Sequence, residues 1–154
     1  MFKKILWVTD FSSHARDAGQ KALSCVQCGE GGTVDVLTVV DPEDLPVILE
    51  NVPDPFITLG QEQAMEKQLE DQYEQRVREH LTKEAQFLRN AGVPVTLHLR
   101  VGRPWKEIIA AAEELDATLI MMGSHGKRSL EELLLGSTVE NVTKHAPCPV
   151  LVVR

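Results

Sequence analysis

Residues 119–138 read LIMMGSHGKRSLEELLLGST, and the fold turns on this stretch. It opens as a short apolar run, Leu119-Ile120-Met121-Met122, that stops at Gly123. A continuous apolar run ended by a breaker is the pattern of a strand buried on both faces of a parallel sheet. Gly126 follows after two residues, and the pair Gly136-Ser137 after nine more. Ser129 stands three residues before Glu132, and Ser137 three before Glu140, so each has the spacing of a capping box at a helix start. Glycines let backbone approach a ligand closely, and the N–H groups at a helix start attract anions. The stretch therefore reads as a strand that delivers the chain into a phosphate cradle.

Outward from it, the same alternation of strand and helix recurs. Toward the N-terminus, Ala117–Met122 is the fourth strand, preceded by a helix over Trp105–Leu115 that buries Ile108, Ile109 and Ala112 and has Pro104 in its first turn. Val95–Val101 is the third strand. From Gln61 to Ala91, Met65, Leu69, Tyr73, Val77, Leu81, Ala85 and Leu88 recur every three or four residues, which predicts one long amphipathic helix ended by Gly92. Thr33–Val40, rich in β-branched residues, is the second strand. Before it lies a helix with Ala15, Ala18, Ala22, Leu23 and Val26 on one face, ended by Gly29 to Gly32, and before that the first strand, Lys3–Thr9. Toward the C-terminus, Thr138–His145 forms the last helix and Pro149–Val153 the fifth strand.

The order β-α-β-α-β-α-β-α-β implies a three-layer α/β/α sandwich: a five-stranded parallel sheet with helices on both faces and right-handed crossovers. At 154 residues the chain is expected to be one domain, 1–154, able to bury a core without disulfides or metal. Within it, residues 41–59 are irregular, because Pro42, Pro46, Pro53 and Pro55 forbid a long helix. Two readings of this insertion stand side by side: a lid or partner surface, and a tolerated surface loop.

Net charge of −7 argues against broad nucleic-acid binding, which needs a basic surface, but not against a nucleotide, whose phosphates need only local donors. No apolar run approaches the roughly 18 residues of a membrane span, and the run from Ile5 to Thr9 is too short for a signal peptide. A cytoplasmic location is the default expectation. Cys25 and Cys28 have CxxC spacing but sit at the end of a helix, and no second pair completes a zinc site, so these and Cys148 read as structural or incidental thiols.

In parallel α/β folds ligands bind outside the carboxyl ends of the strands, near the point where strand order reverses. Asp10 after the first strand, Val39-Val40-Asp41 after the second and the Gly123 loop after the fourth converge on that edge. The Val-Val end offers an apolar wall and backbone hydrogen bonds to a flat base. Asp10 either accepts from ligand hydroxyls or helps hold a phosphate-bound metal, or else merely caps the first helix.

The chain resembles the universal stress protein family. The features that carry the resemblance are Gly123-x2-Gly126-x9-Gly136-Ser137 after Met121-Met122, the ending HAPCPVLVV, the start KKILWVTDFS, and the G-x-P step at Gly102-Arg103-Pro104. They span essentially the whole chain. The resemblance implies a Rossmann-like, adenine nucleotide alpha hydrolase-like fold that binds ATP together with a divalent ion such as Mg²⁺ or Mn²⁺ on the phosphates. Adenine and ribose are expected near Val8, Asp10 and Val39, with Met122 and Gly123 adjoining. The phosphates are expected at Gly126, Gly136, Ser137 and Thr138, with His125 and Lys127 close by. Val8 departs from the proline of many relatives, which changes backbone stiffness rather than chemistry. The resemblance also implies a homodimer, through the last strand, Pro149–Val153.

The residues supply no evident catalyst. There is no G-x-x-x-x-G-K-[ST] loop, the turn after the first strand (TDFSS) lacks the glycines of alpha-hydrolysing synthetases, and strand three ends without a phosphoacceptor. His125 lacks a visible third group to orient it as a base, so it reads as a contact. Lys127-Arg128 is either a phosphate-side cation pair or solvated charge. The expectation is an ATP-binding regulatory or stress-response switch that is not an enzyme, with an unidentified protein partner. The alternatives are a nucleotide-independent dimeric interaction module and, more weakly, a slow ATPase.

Overall fold

The computed structural model describes residues 2–44, 59–125 and 135–154. Five strands, β1 (Lys4–Val8), β2 (Thr33–Val40), β3 (Val95–Val101), β4 (Leu119–Gly123) and β5 (Val150–Val153), pair in parallel in the order β3-β2-β1-β4-β5. Because side chains alternate along a strand, the sheet divides its apolar residues between two cores. Ile5, Trp7, Val34, Val36 and Met121 face one side, against helices α1 (Ser13–Cys28), α2 (Leu59–Glu84) and α3 (Gln86–Asn90). Leu6, Leu37, Ile120 and Met122 face the other, against α4 (Pro104–Glu114) and α5 (Ser137–His145). The expected three-layer architecture is therefore present, with β3 and β5 at the edges.

Small residues let α1 lie close to the sheet. Ala15, Ala18, Gly19 and Ala22 are all buried, and beneath them the fully buried Trp7 donates its indole Nε1–H to the Ala15 carbonyl at 2.8 Å. A Cβ on Gly19 would stand 2.4 Å from the Trp7 ring.

The long helix expected over 61–91 is two helices. It breaks at Ala85, whose carbonyl accepts from both Leu88 and Arg89 in a tightened turn. Neither glycine nor proline marks the break. Its consequence is tertiary: the short α3 brings Phe87 edge-on to Trp7, ring centroids 5.7 Å apart, while Val77, Leu81, Ala85 and Leu88 keep the buried stripe in register. Gly92, with φ of 77°, ends the pair in the left-handed region that glycine tolerates.

Of the proline-rich insertion, Pro42–Asp44 forms a 3-10 turn, and residues 45–58 lie outside the described residues. Among the described residues no helix is long and apolar enough to cross a membrane. All three cysteines are free thiols.

Candidate functional site

Strand order reverses beside β1, which has β2 on one side and β4 on the other. Outside the carboxyl ends of these strands, where doubly wound sheets leave a crevice, lies a cleft of about 940 Å³. Of the eleven residues expected to form the site, Val8, Asp10, Val39, Met122, Gly123, His125, Gly136, Ser137 and Thr138 all border it. Gly126 and Lys127 lie outside the described residues, as does the expected capping box at Ser129.

The turn after β1 is held from several directions. Thr9 donates its backbone N–H to Leu37 at 2.9 Å, and its hydroxyl accepts from the Phe11 N–H at 3.0 Å. Asp10 accepts from the Ser12 N–H at 3.0 Å. The helix cap is Ser12, whose Oγ accepts from the Ala15 N–H at 3.3 Å. Asp10 thus shapes the turn without capping α1, and its residue borders the cleft. Phe11 follows at φ of 66°, a conformation that costs a non-glycine residue about 1–3 kcal/mol; its ring meets His80 of α2 edge-on at 5.7 Å. Across the sheet, Thr38 to Asp41 continue the cleft wall from β2.

Gly123 departs from the sequence reading in its physical reason. A Cβ there would lie 2.7 Å from both the carbonyl carbon and Cβ of His14, so the missing side chain admits the first turn of α1. Helix-to-strand packing requires this glycine independently of any ligand.

The start of α5 also departs from expectation. Gly136, not Ser137, is the N-cap, and among the described residues no side chain caps the helix. The Ser137–Glu140 box does not form: Ser137 already stands inside the helix, and Glu140 accepts instead from Lys144 at 2.7 Å. That hydrogen bond, followed by the charge of Lys144, holds the exposed Glu140 carboxyl below its ordinary range. The Gly136 N–H donates to Ser124 at 3.2 Å. Ser137 and Thr138 then present the uncapped first turn of the helix along the cleft, an arrangement suited to an anion.

Among the further cleft residues that escaped the sequence reading as site residues are Tyr73 and Val77 of α2, and Arg103 and Trp105 at the start of α4. Arg103 was visible only as the middle of the G-x-P step. Tyr73 and Val77 belong to a stripe that periodicity assigns to the core. Trp105, tilted 30° against His145 with centroids 5.2 Å apart, carries no sequence signal of its place. Among the described residues there is no group of three or more His, Cys, Asp or Glu able to hold a metal ion. A divalent ion there would have to take most of its ligands from a bound anion.

The chain matches the model of the universal stress protein family over residues 1–154. It is 37% identical over 164 residues to universal stress protein MJ0577 of Methanocaldococcus jannaschii, covering all of this chain and 96% of the relative. The solved structure of MJ0577 superposes with a TM-score of 0.81 at 33% identity, over 99% of this chain and 96% of that one. Two more distant structures share the fold. One is a universal stress protein in complex with cAMP, at 19% identity and a TM-score of 0.64 over 99% and 97% of the two chains. The other is the universal stress protein from Archaeoglobus fulgidus in complex with dAMP, at 20% identity and a TM-score of 0.61 over 100% and 98%.

Proposed function

The chain belongs to the universal stress protein family, and on that premise we propose that it is an ATP-binding regulatory switch of the stress response rather than an enzyme. One observation carries the reading. The uncapped first turn of α5 and the turn bearing Asp10 lie on one cleft at the switch point of the sheet, which offers amide donors for phosphates beside an acceptor for hydroxyls. Val8, Val39 and Met122 supply the apolar surface a purine base needs. That family members have been solved with cAMP and dAMP agrees with an adenine nucleotide as the ligand class. Mg²⁺ or Mn²⁺ would enter with the nucleotide, held chiefly by its phosphates and by Asp10 at most.

The switch reading places the protein in the cytoplasm, where ATP is abundant. It further pairs two copies through β5, an edge strand on which Leu151 is 40% exposed; an apolar edge of this kind invites strand pairing. A separate protein partner would read the occupied state.

Mass analysis of nucleotide released from the purified protein, followed by calorimetric titration with ATP and Mg²⁺, tests the core of the proposal. Binding in the micromolar range, on the order of 8 kcal/mol, is expected. Absence of binding favours the nucleotide-independent dimeric module, and sedimentation then decides whether a dimer exists at all. Sustained phosphate release at saturating ATP, abolished by His125→Ala, would instead make the protein a slow ATPase.

A further inference from the structure

Ser124 is fully buried directly after β4, and its backbone is fixed on both sides. Its N–H donates to Val153 at 2.7 Å, and its carbonyl accepts from Gly136 at 3.2 Å. From this rigid mount, its Oγ lies 2.7 Å from Nδ1 of His125. The other ring nitrogen, Nε2, is buried and has no hydrogen-bond partner among the described residues, although His125 borders the cleft. The nearest described ring, His14, lies 5.4 Å away, centroid to centroid, tilted by 51°.

The proton between Ser124 and His125 can be assigned by counting. If Nδ1–H donated to Ser124, the buried hydroxyl proton would have no acceptor among the described residues, and Nε2 would be a second group without a partner there. If Ser124 donates to Nδ1, its hydroxyl is satisfied and only Nε2–H remains. Buried donors are almost always paired, so the second arrangement is favoured. It leaves a buried N–H that needs an acceptor, on a residue that lines the same cleft as the start of α5.

We propose that Ser124 is a positioning residue that locks His125 in the Nε2–H tautomer, and that Nε2 donates to an anionic oxygen of the ligand's phosphates. This rests on the nucleotide reading above and adds to it a defined donor and the residue that fixes its proton. The lock is a property of the protein without ligand, so the two ideas separate experimentally.

Two-bond nitrogen–proton correlation spectra of the full chain at mildly alkaline pH read the tautomer directly. The Nε2–H form is expected for His125 in the wild type and a mixture of forms in Ser124→Ala. In calorimetry, Ser124→Ala is expected to weaken ATP on the order of tenfold and to leave adenosine, which has no phosphate, unchanged. An Nδ1–H tautomer in the wild type overturns the lock, and equal losses for ATP and adenosine show a merely structural serine. If wild-type protein binds no ATP, the nucleotide reading and the phosphate contact fall together, while the spectra still decide the tautomer.

Discussion

A Cβ on Gly123 would lie 2.7 Å from the carbonyl carbon of His14, so the end of β4 and the first turn of α1 meet through a missing side chain. The obstructing atoms are backbone and a helix-anchored Cβ, which cannot swing away. Gly123→Ala is therefore expected to push α1 off the sheet and to destabilise the chain by about 1–3 kcal/mol, the usual cost of overpacking. Urea unfolding measures it. Wild-type stability in this variant would mean that the helix shifts freely at that point.

Gly19 gives a prediction whose sign runs against helix propensity. In an exposed helix, glycine to alanine gains roughly 1 kcal/mol. Here the new methyl would enter the Trp7 ring at 2.4 Å, and that ring is pinned by its hydrogen bond to Ala15. Gly19→Ala should lower stability and alter Trp7 fluorescence. Trp7→Phe, which removes the hydrogen bond and part of the ring, should also destabilise, by about 1–3 kcal/mol. A more stable Gly19→Ala protein would contradict the packing described for α1.

These cases show where the sequence could be read and where it could not. Strands such as Ile5-Leu6-Trp7-Val8 and Leu119 to Met122 are legible because burial on both faces leaves an uninterrupted apolar run. The strand alternation then places Asp10, Val39 and Gly123 on one edge without further information. The break at Ala85 is illegible, since alanine favours the helix it interrupts and the Phe87–Trp7 contact that accompanies the break is made only in the folded chain. Ser137 misled because the capping-box spacing ignores backbone conformation, and Gly136 takes the cap with φ of −61° and ψ of 150°. Tyr73 and Trp105 reach the cleft from opposite layers, a juxtaposition made by folding and absent from local pattern.

Cys148 and Cys28 should differ in reactivity. Burial pushes the Cys148 thiol above its usual value of 9.0, and a backbone hydrogen bond at Ile120 offsets this only in part. Cys28 is exposed. Alkylation with iodoacetamide at mildly alkaline pH, followed by peptide mass analysis, should label Cys28 well before Cys148, because only the thiolate reacts. The raised value also has a sign for stability. The folded state holds a proton that the unfolded chain releases, so this contribution is present below the unfolded value and is lost as pH rises through the folded one. Equal labelling rates in the native protein would contradict the burial assigned to Cys148.

Ser137→Glu separates the stability of α5 from its proposed ligand. Ser137 is the first residue inside the helix, it is exposed, and no side chain among the described residues caps the turn. A carboxylate there complements the helix dipole and should stabilise the fold by about 0.3–1 kcal/mol at low salt. The same charge would stand where the proposed function puts phosphate. ATP affinity should therefore collapse while thermal stability rises slightly, and adenosine should lose far less than ATP. Raising the ionic strength should shrink the stability gain, as expected of an exposed charge. A Ser137→Glu protein that binds ATP like the wild type would remove the phosphates from the start of α5, whatever else the cleft holds.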